Sequence, residues 1–261
     1  MRKVIAAIDD TAAARAVLVA GRLVAELFDA SLEAVHVRDD GARTARSAAR
    51  AAGLQLREVD GPVVKALVLE AQELDVAALA LGARATPAGR RPAGHVALEV
   101  ITAVPRPVAV VPPEVRPEPD LRRLLVPLDG TSATAQALAE VIERACQRDI
   151  DVVILHVLGE ESLPPFSDQP HHEAEAWVRE FMARHCPAAA ARAELRVGVP
   201  AHAVVSTAVE TGADLIALGW AQHLAPGRAA VFQEVLERGR IPVLLVPIEL
   251  GGSSHASGEP R

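Results

Sequence analysis

Four blocks of this sequence recur, in the same order, in its second half, and a chain so built has to fold as two copies of one architecture. Residues 2–9 (RKVIAAID) align with residues 122–129 (RRLLVPLD), and Val35-His36-Val37 aligns with Leu155-His156-Val157 at the same offset. Ala80-Leu81-Gly82 then meets Ala217-Leu218-Gly219 at a larger offset, which places an insert in the second copy at about residues 159–190. Residues 106–112 finally match residues 240–247. Order-preserving repetition is the mark of tandem structural units.

Within each copy, short unbroken apolar runs alternate with longer stretches whose apolar residues fall at helical spacing. Runs of this kind are strands buried on both faces. They predict strands at 4–8, 32–37, 54–59, 76–81 and 108–111 in the first copy, and at 124–128, 152–158, 193–197, 215–218 and 243–246 in the second. Helices are predicted at 12–28, 62–74 and 95–104, and at 133–148, 201–211 and 230–238, with a further helical stretch in the insert. Thr11 or Asp10, and Thr131 or Ser132, are natural N-caps for the first helix of each copy. Strand–helix–strand order implies parallel pairing through right-handed crossovers, hence an α/β fold of two doubly wound open sheets of five strands. The run Pro112-Pro-Glu-Val-Arg-Pro-Glu-Pro119 can continue neither a helix nor a central strand and reads as a linker. The expected divisions are a first domain at 1–112, a linker at 113–120, a second domain at 121–249 and a disordered tail at 250–261.

Composition narrows the function. A net charge of −7 and a pI near 5.7 argue against a nucleic-acid partner. So does the lack of tyrosine beside only two tryptophans, which leaves little for bases to stack on. The opening apolar run, 4–8, is far too short to span a bilayer, so no membrane association is expected. Cys146 and Cys186 form no Cys-x-x-Cys pair, and a reducing cytoplasmic setting is the expectation.

Catalytic signatures are missing. There is no Walker-type phosphate loop, and Asp9-Asp10 and Asp129-Gly130 stand where a dinucleotide fingerprint after the first strand needs glycines. His36 and His156 recur at equivalent strand positions, which favours shared packing over catalysis. His171, His172, His185 and Cys186 match no standard zinc spacing, so no metal site is expected. The chain reads as a non-enzyme, with slow nucleotide hydrolysis left open.

In an open parallel sheet, ligands bind beyond the carboxyl ends of the strands where strand order reverses. Two segments of each copy reach that place: the end of the first strand, at Asp9 or Asp129, and the loop after the fourth, starting at Gly82 or Gly219. Val126-Pro-Leu-Asp-Gly-Thr-Ser132, residues 81–96 (LGARATPAGRRPAGHV) and Pro107-Val-Ala-Val-Val-Pro112 resemble the universal stress protein family, in its tandem two-domain form, and the resemblance covers nearly all of 1–249. It implies an adenine nucleotide alpha hydrolase-like fold and last strands that pair, here 108–111 with 243–246 inside one chain, as an intrachain pseudo-dimer. Further homo-oligomers stay open.

The resemblance also implies a nucleotide site, with ATP and Mg as the expected ligand. In nucleotide-binding members the loop after strand four reads Gly-x-x-Gly, nine residues, then Gly-Ser or Gly-Thr, and it holds the phosphates. The opening-strand Asp and the end of strand two hold the nucleoside. Carried onto the first copy, this names Ala7, Asp9, Val37, Gly82, Arg84, Ala85, Arg90, Arg91, Gly94, His95 and Val96. Three departures appear: Ala85 stands for the second glycine, eight residues rather than nine precede Gly94, and His95 replaces the hydroxyl residue. Arg84, Arg90 and Arg91 make the loop basic, a plausible anion cradle. The second copy keeps Pro127, Asp129, Gly130 and Thr131 but has Gln222 for the second glycine, no Gly-Ser or Gly-Thr element, and an apolar loop with Trp220 and Leu224. Trp220 is expected to pack on the partner domain or cover the sheet edge. One nucleotide site, in the first copy, is therefore expected, serving a stress sensor without fast turnover. The alternative is a nucleotide-free module of the same fold that presents a surface to a protein partner.

Overall fold

The computed structural model describes residues 1–38, 41–83, 94–113, 115–159, 191–222 and 228–248, with 176, 179, 180, 182 and 183. The first half runs β1 (Lys3–Ala7), α1 (Ala14–Phe28), β2 (Ser31–Val37), α2 (Arg43–Ala51), β3 (Leu56–Val59), α3 (Val63–Ala71), β4 (Val76–Gly82), α4 (His95–Ala103) and β5 (Val108–Val111). The second half runs β6 (Arg123–Pro127), α5 (Ser132–Gln147), β7 (Asp151–Leu158), β8 (Ala191–Val197), α6 (Pro200–Thr211), β9 (Leu215–Trp220), α7 (Arg228–Arg238) and β10 (Val243–Pro247). Each predicted strand is present within a few residues of its expected bounds. Helix α2 was not foreseen, because only Ala45 and Ala49 of its nine residues are buried. Two alanines one turn apart leave almost no apolar stripe to read.

The two five-stranded sheets join through the expected pairing of their last strands into one. Strand order is β3-β2-β1-β4-β5-β10-β9-β6-β7-β8, a sheet of ten strands. Every neighbouring pair is parallel except β5 and β10, which run antiparallel with Val243 opposite Val110, Leu244 opposite Ala109 and Leu245 opposite Val108. The intrachain pseudo-dimer is therefore built by the last strands, and the pairing removes two apolar edges that would otherwise invite association.

Residues alternate across this sheet. Val4, Ala6, Ala109, Val111, Leu124, Val126, Leu244 and Val246 enter one core with α1, α2 and α5. Ile5, Leu79, Val108, Val110, Leu125, Ile216, Val243 and Leu245 enter the other, with α3, α4, α6 and α7. Each core runs unbroken across both halves. On the first face Phe28 is fully buried, with the guanidiniums of Arg2 and Arg144 lying 5.6 and 5.9 Å from its ring centre, so cation–π contacts from both halves converge on one ring. The proline-rich segment is likewise tied down: Val115 and Leu121 are buried in this core. Among the described residues no helix is long and apolar enough to cross a membrane.

Capping departs from expectation in the first half. Thr131 does cap α5, accepting from the Thr134 amide. At α1 the capping position falls to Ala13, with no side-chain cap. Asp10 instead reaches 34 residues along the chain and caps α2, its Oδ1 accepting from the amides of Thr44 and Ala45, the latter at 3.1 Å. These amides, Ala45 first, hold the Asp10 carboxyl below its ordinary pKa despite the opposing cost of desolvation.

Candidate functional site

In each half the chain leaves the central strand, β1 or β6, to wind outward, then returns to β4 or β9 on its other side. The carboxyl ends of these two strands diverge into crossovers and leave a cleft between them. Both halves have one, and they differ.

The first cleft encloses about 350 Å³. Its floor and walls are apolar, from Val37, Val63, Leu67 and Leu81, with Ala7 and Gly82 at the strand ends. Asp9 stands at its rim, where an Asx turn fixes it: Oδ1 accepts from the Thr11 amide at 3.3 Å and from the Thr11 hydroxyl at 2.5 Å. The opposite side is the N-terminus of α4, with Gly94, His95 and Val96 lining the cleft. Gly94 occupies the capping position with extended backbone, so no side chain caps the helix. Its own amide donates to the Ala83 carbonyl at 2.7 Å and closes the base of the loop. The next amides of a helix have no intrahelical partner, and they carry the positive end of its dipole.

Of the residues the sequence nominated, Ala7, Asp9, Val37, Gly82, Gly94, His95 and Val96 come together around this one cleft. Arg84, Ala85, Arg90 and Arg91 lie outside the described residues, as do His171, His172, His185 and Cys186. The sequence reading passed over Val63 and Leu67, which line the cleft from α3. Their helical spacing was the available signal, but it equally fits ordinary core packing.

His36 and His156 behave alike. Each Nδ1–H donates to the carbonyl just beyond the first strand of its half, Ile8 at 2.9 Å and Leu128 at 2.8 Å. The same tie in both copies fastens the second strand to the end of the first, a positioning task rather than a chemical one. Among the described residues no three His, Cys, Asp or Glu side chains gather as a metal site.

The second cleft encloses about 160 Å³. Its front repeats the first: Asp129 Oδ1 accepts from the Thr131 amide at 3.0 Å and hydroxyl at 2.7 Å. Its rear does not. Trp220, only 2% exposed, fills that side, its ring 5.2 Å from Phe232. The indole Nε1–H donates to the Ile101 carbonyl at 3.3 Å, and the Gln222 Nε2 amide donates to the Val104 carbonyl at 2.9 Å. Both acceptors belong to the end of α4 in the other half, where terminal carbonyls lack intrahelical donors. Trp220 therefore packs on the partner half, as its sequence context suggested. Gln222, standing where the family pattern has glycine, has φ +58, so the loop keeps the left-handed turn without the residue that adopts it most cheaply.

Residues 120–247 match the sequence model of the universal stress protein family. No curated protein matches the sequence. Among solved structures, a putative universal stress protein from Pseudomonas aeruginosa is 14% identical, covers 95% of this chain and 94% of its own, and superposes with a TM-score of 0.64. A universal stress protein from Archaeoglobus fulgidus is 15% identical over 94% of this chain and 96% of its own, with a TM-score of 0.65. These likenesses establish the fold over the whole chain. A shorter universal stress protein from Archaeoglobus fulgidus, in complex with dAMP, is 22% identical over 48% of this chain and 96% of its own, and its TM-score of 0.36 is too low to carry a site assignment.

Proposed function

This chain belongs to the universal stress protein family, and we propose that it is a stress-response protein whose first half, residues 1–112, binds one adenine nucleotide without rapid turnover. The observation that supports this most is the first cleft itself. It joins an apolar slot of about 350 Å³, within the size range of small-ligand sites, to an uncapped helix N-terminus on one side and a carboxylate on the other.

A purine is a flat apolar body, and Val37, Val63, Leu67 and Leu81 offer it a matching wall. Ribose hydroxyls are donors, and the Asp9 carboxylate is an acceptor at the rim. Phosphates are suited to the amides at His95 and Val96, where the helix dipole favours negative charge. In this reading Arg84, Arg90 and Arg91 add the cationic side chains of the cradle. Mg²⁺, when bound with ATP, would neutralise part of the phosphate charge. Among the described residues that line the cleft no nucleophile is paired with a base, and binding rather than turnover is proposed. In the second half the buried Trp220 occupies the rear of the cleft instead.

Thermal shift and equilibrium dialysis with Mg-ATP, ADP and AMP test this on the full chain. One equivalent should bind, with stabilisation of about 1–3 kcal/mol at nucleotide concentrations well above Kd. Arg90→Ala combined with Arg91→Ala should reduce the shift. No binding at millimolar nucleotide would sink the proposal.

A further inference from the structure

We propose that the second half sets the nucleotide affinity of the first, with Trp220 and Gln222 as positioning residues for the start of α4. The two ends of this nine-residue helix do different work. Gly94, His95 and Val96 at its start line the first cleft. Its far end is held from the other half. There the Trp220 indole Nε1–H donates to the Ile101 carbonyl at 3.3 Å, and the Gln222 side-chain amide to the Val104 carbonyl at 2.9 Å. The effect on affinity rests on nucleotide binding in the first cleft; the mechanical claim, that the second half fixes the start of α4, does not.

The far end of α4 lacks a closure of its own. Helices α1 and α6 end on left-handed residues, Asp29 and Gly212, whose amides satisfy terminal carbonyls. At α4 the capping residue Val104 has extended backbone, φ −86 and ψ 118, and its amide returns only to Val100. The Thr102 hydroxyl serves the Leu98 and Glu99 carbonyls, each at 3.0 Å. Those of Ile101 and Val104 take their donors from the second half. Both residues are buried, where an unmade backbone hydrogen bond is costly. Trp220 also shares one apolar core with Ala97, Val100, Ile101 and Val104, so packing and hydrogen bonding act at the same end. The start is more exposed, with Val96 at 44% and the His95 side chain at 80%. At 1.5 Å per residue, the held end lies only about 13 Å from the residues that line the cleft, and a helix so short moves as one rod. Loosening its rear therefore displaces its front, where the proposed phosphate contacts need the leading amides in a fixed place.

Trp220→Phe combined with Gln222→Ala removes both donors from the full chain and keeps a ring in the core. Equilibrium dialysis with AMP, well below the melting temperature, reads the affinity of folded protein, which a loss of stability alone does not move. The double variant should bind AMP about tenfold more weakly. Ile142→Ala, in the core on the opposite face of the sheet, is the control: it should lower the melting temperature at least as much and leave AMP affinity at the parent value. Amide exchange followed by NMR reads the helix without ligand. The Leu98 amide, which closes the first turn on the Gly94 carbonyl at 3.1 Å, should exchange faster in the double variant than in the control. Should the double variant fail to fold, Gln222→Ala alone, at a half-buried position, gives the same two readouts with smaller shifts. Unchanged AMP affinity in the variant of a parent that binds AMP overturns the proposal, as does Leu98 exchange no faster than in the control. If the parent binds no AMP, the nucleotide reading fails by itself, and Leu98 exchange alone decides whether the second half positions α4.

Discussion

The two clefts share a strand order, an Asx turn at the front and a histidine tie, yet one has a helix N-terminus at its rear and the other a buried tryptophan. The difference teaches how a duplicated site can be spent on structure. In the first half Gly94, His95 and Val96, at the start of α4, line the cleft. In the second half Trp220 and Gln222, just after β9, supply donors to the far end of that same helix. The loop of one half thus gives the other half's helix its C-terminal partners.

The comparison can be broken first at the seam that makes it possible. Leu245→Lys places a charge in the β5–β10 pairing, where Leu245 is 1% exposed, and should cost about 5 kcal/mol. Denaturant unfolding measures the loss, with apolar-dye binding reporting the opened edge, and an unchanged midpoint would contradict the pairing. Trp220→Ala should cost about 4 kcal/mol through the space it leaves, and Trp220→Phe about 1 kcal/mol for the missing hydrogen bond. If both variants melt like the parent, the indole does not brace α4.

The asymmetry in binding comes next. Asp9→Ala should weaken nucleotide affinity by about tenfold to a hundredfold, the worth of a charge-assisted hydrogen bond, while Asp129→Ala should leave it unchanged. Equal effects in a dialysis experiment would mean that the halves are not functionally distinct. Smaller still is the backbone term at Gln222. Both Gln222→Gly and Gln222→Ala lose the bond to Val104, but glycine accepts the left-handed turn, so the glycine variant should be the more stable by about 1 kcal/mol.

The smallest effect concerns Asp10. Its carboxyl titrates below the ordinary value because the ionised form accepts two amides of α2. A depressed folded-state pKa stabilises the fold above the unfolded value, about 3.9, and that contribution disappears as pH falls through the lower folded-state value. Asp10→Ala should therefore melt slightly earlier than the parent at neutral pH. The gap should close in acid; a gap that widens there would exclude the capping role.

Much of this was legible in the sequence. The strands declared themselves because the middles of β1, β4, β6 and β9 are buried on both faces and so are apolar without interruption. The first cleft was legible in part, because strand ends and a helix start fall at fixed places in a doubly wound sheet. Val63 and Leu67 were not, since an apolar residue facing a cleft looks the same as one facing a core. Helix α2 was missed for want of an apolar stripe, and Asp10 stood beside Thr11 as a candidate cap for the nearer helix because local spacing cannot reveal a cap supplied from another loop.

The sequence by itself determined that there are two copies, that each alternates strand and helix, and that the copies diverge at the loop after the fourth strand. Those features depend on local periodicity and on which residues must be buried. Only the tertiary structure decided the antiparallel register in which β5 meets β10, and that Trp220 and Gln222 end on the carbonyls of Ile101 and Val104. Such bonds join residues more than a hundred positions apart, and their partners are backbone carbonyls, which every residue carries and no sequence pattern distinguishes.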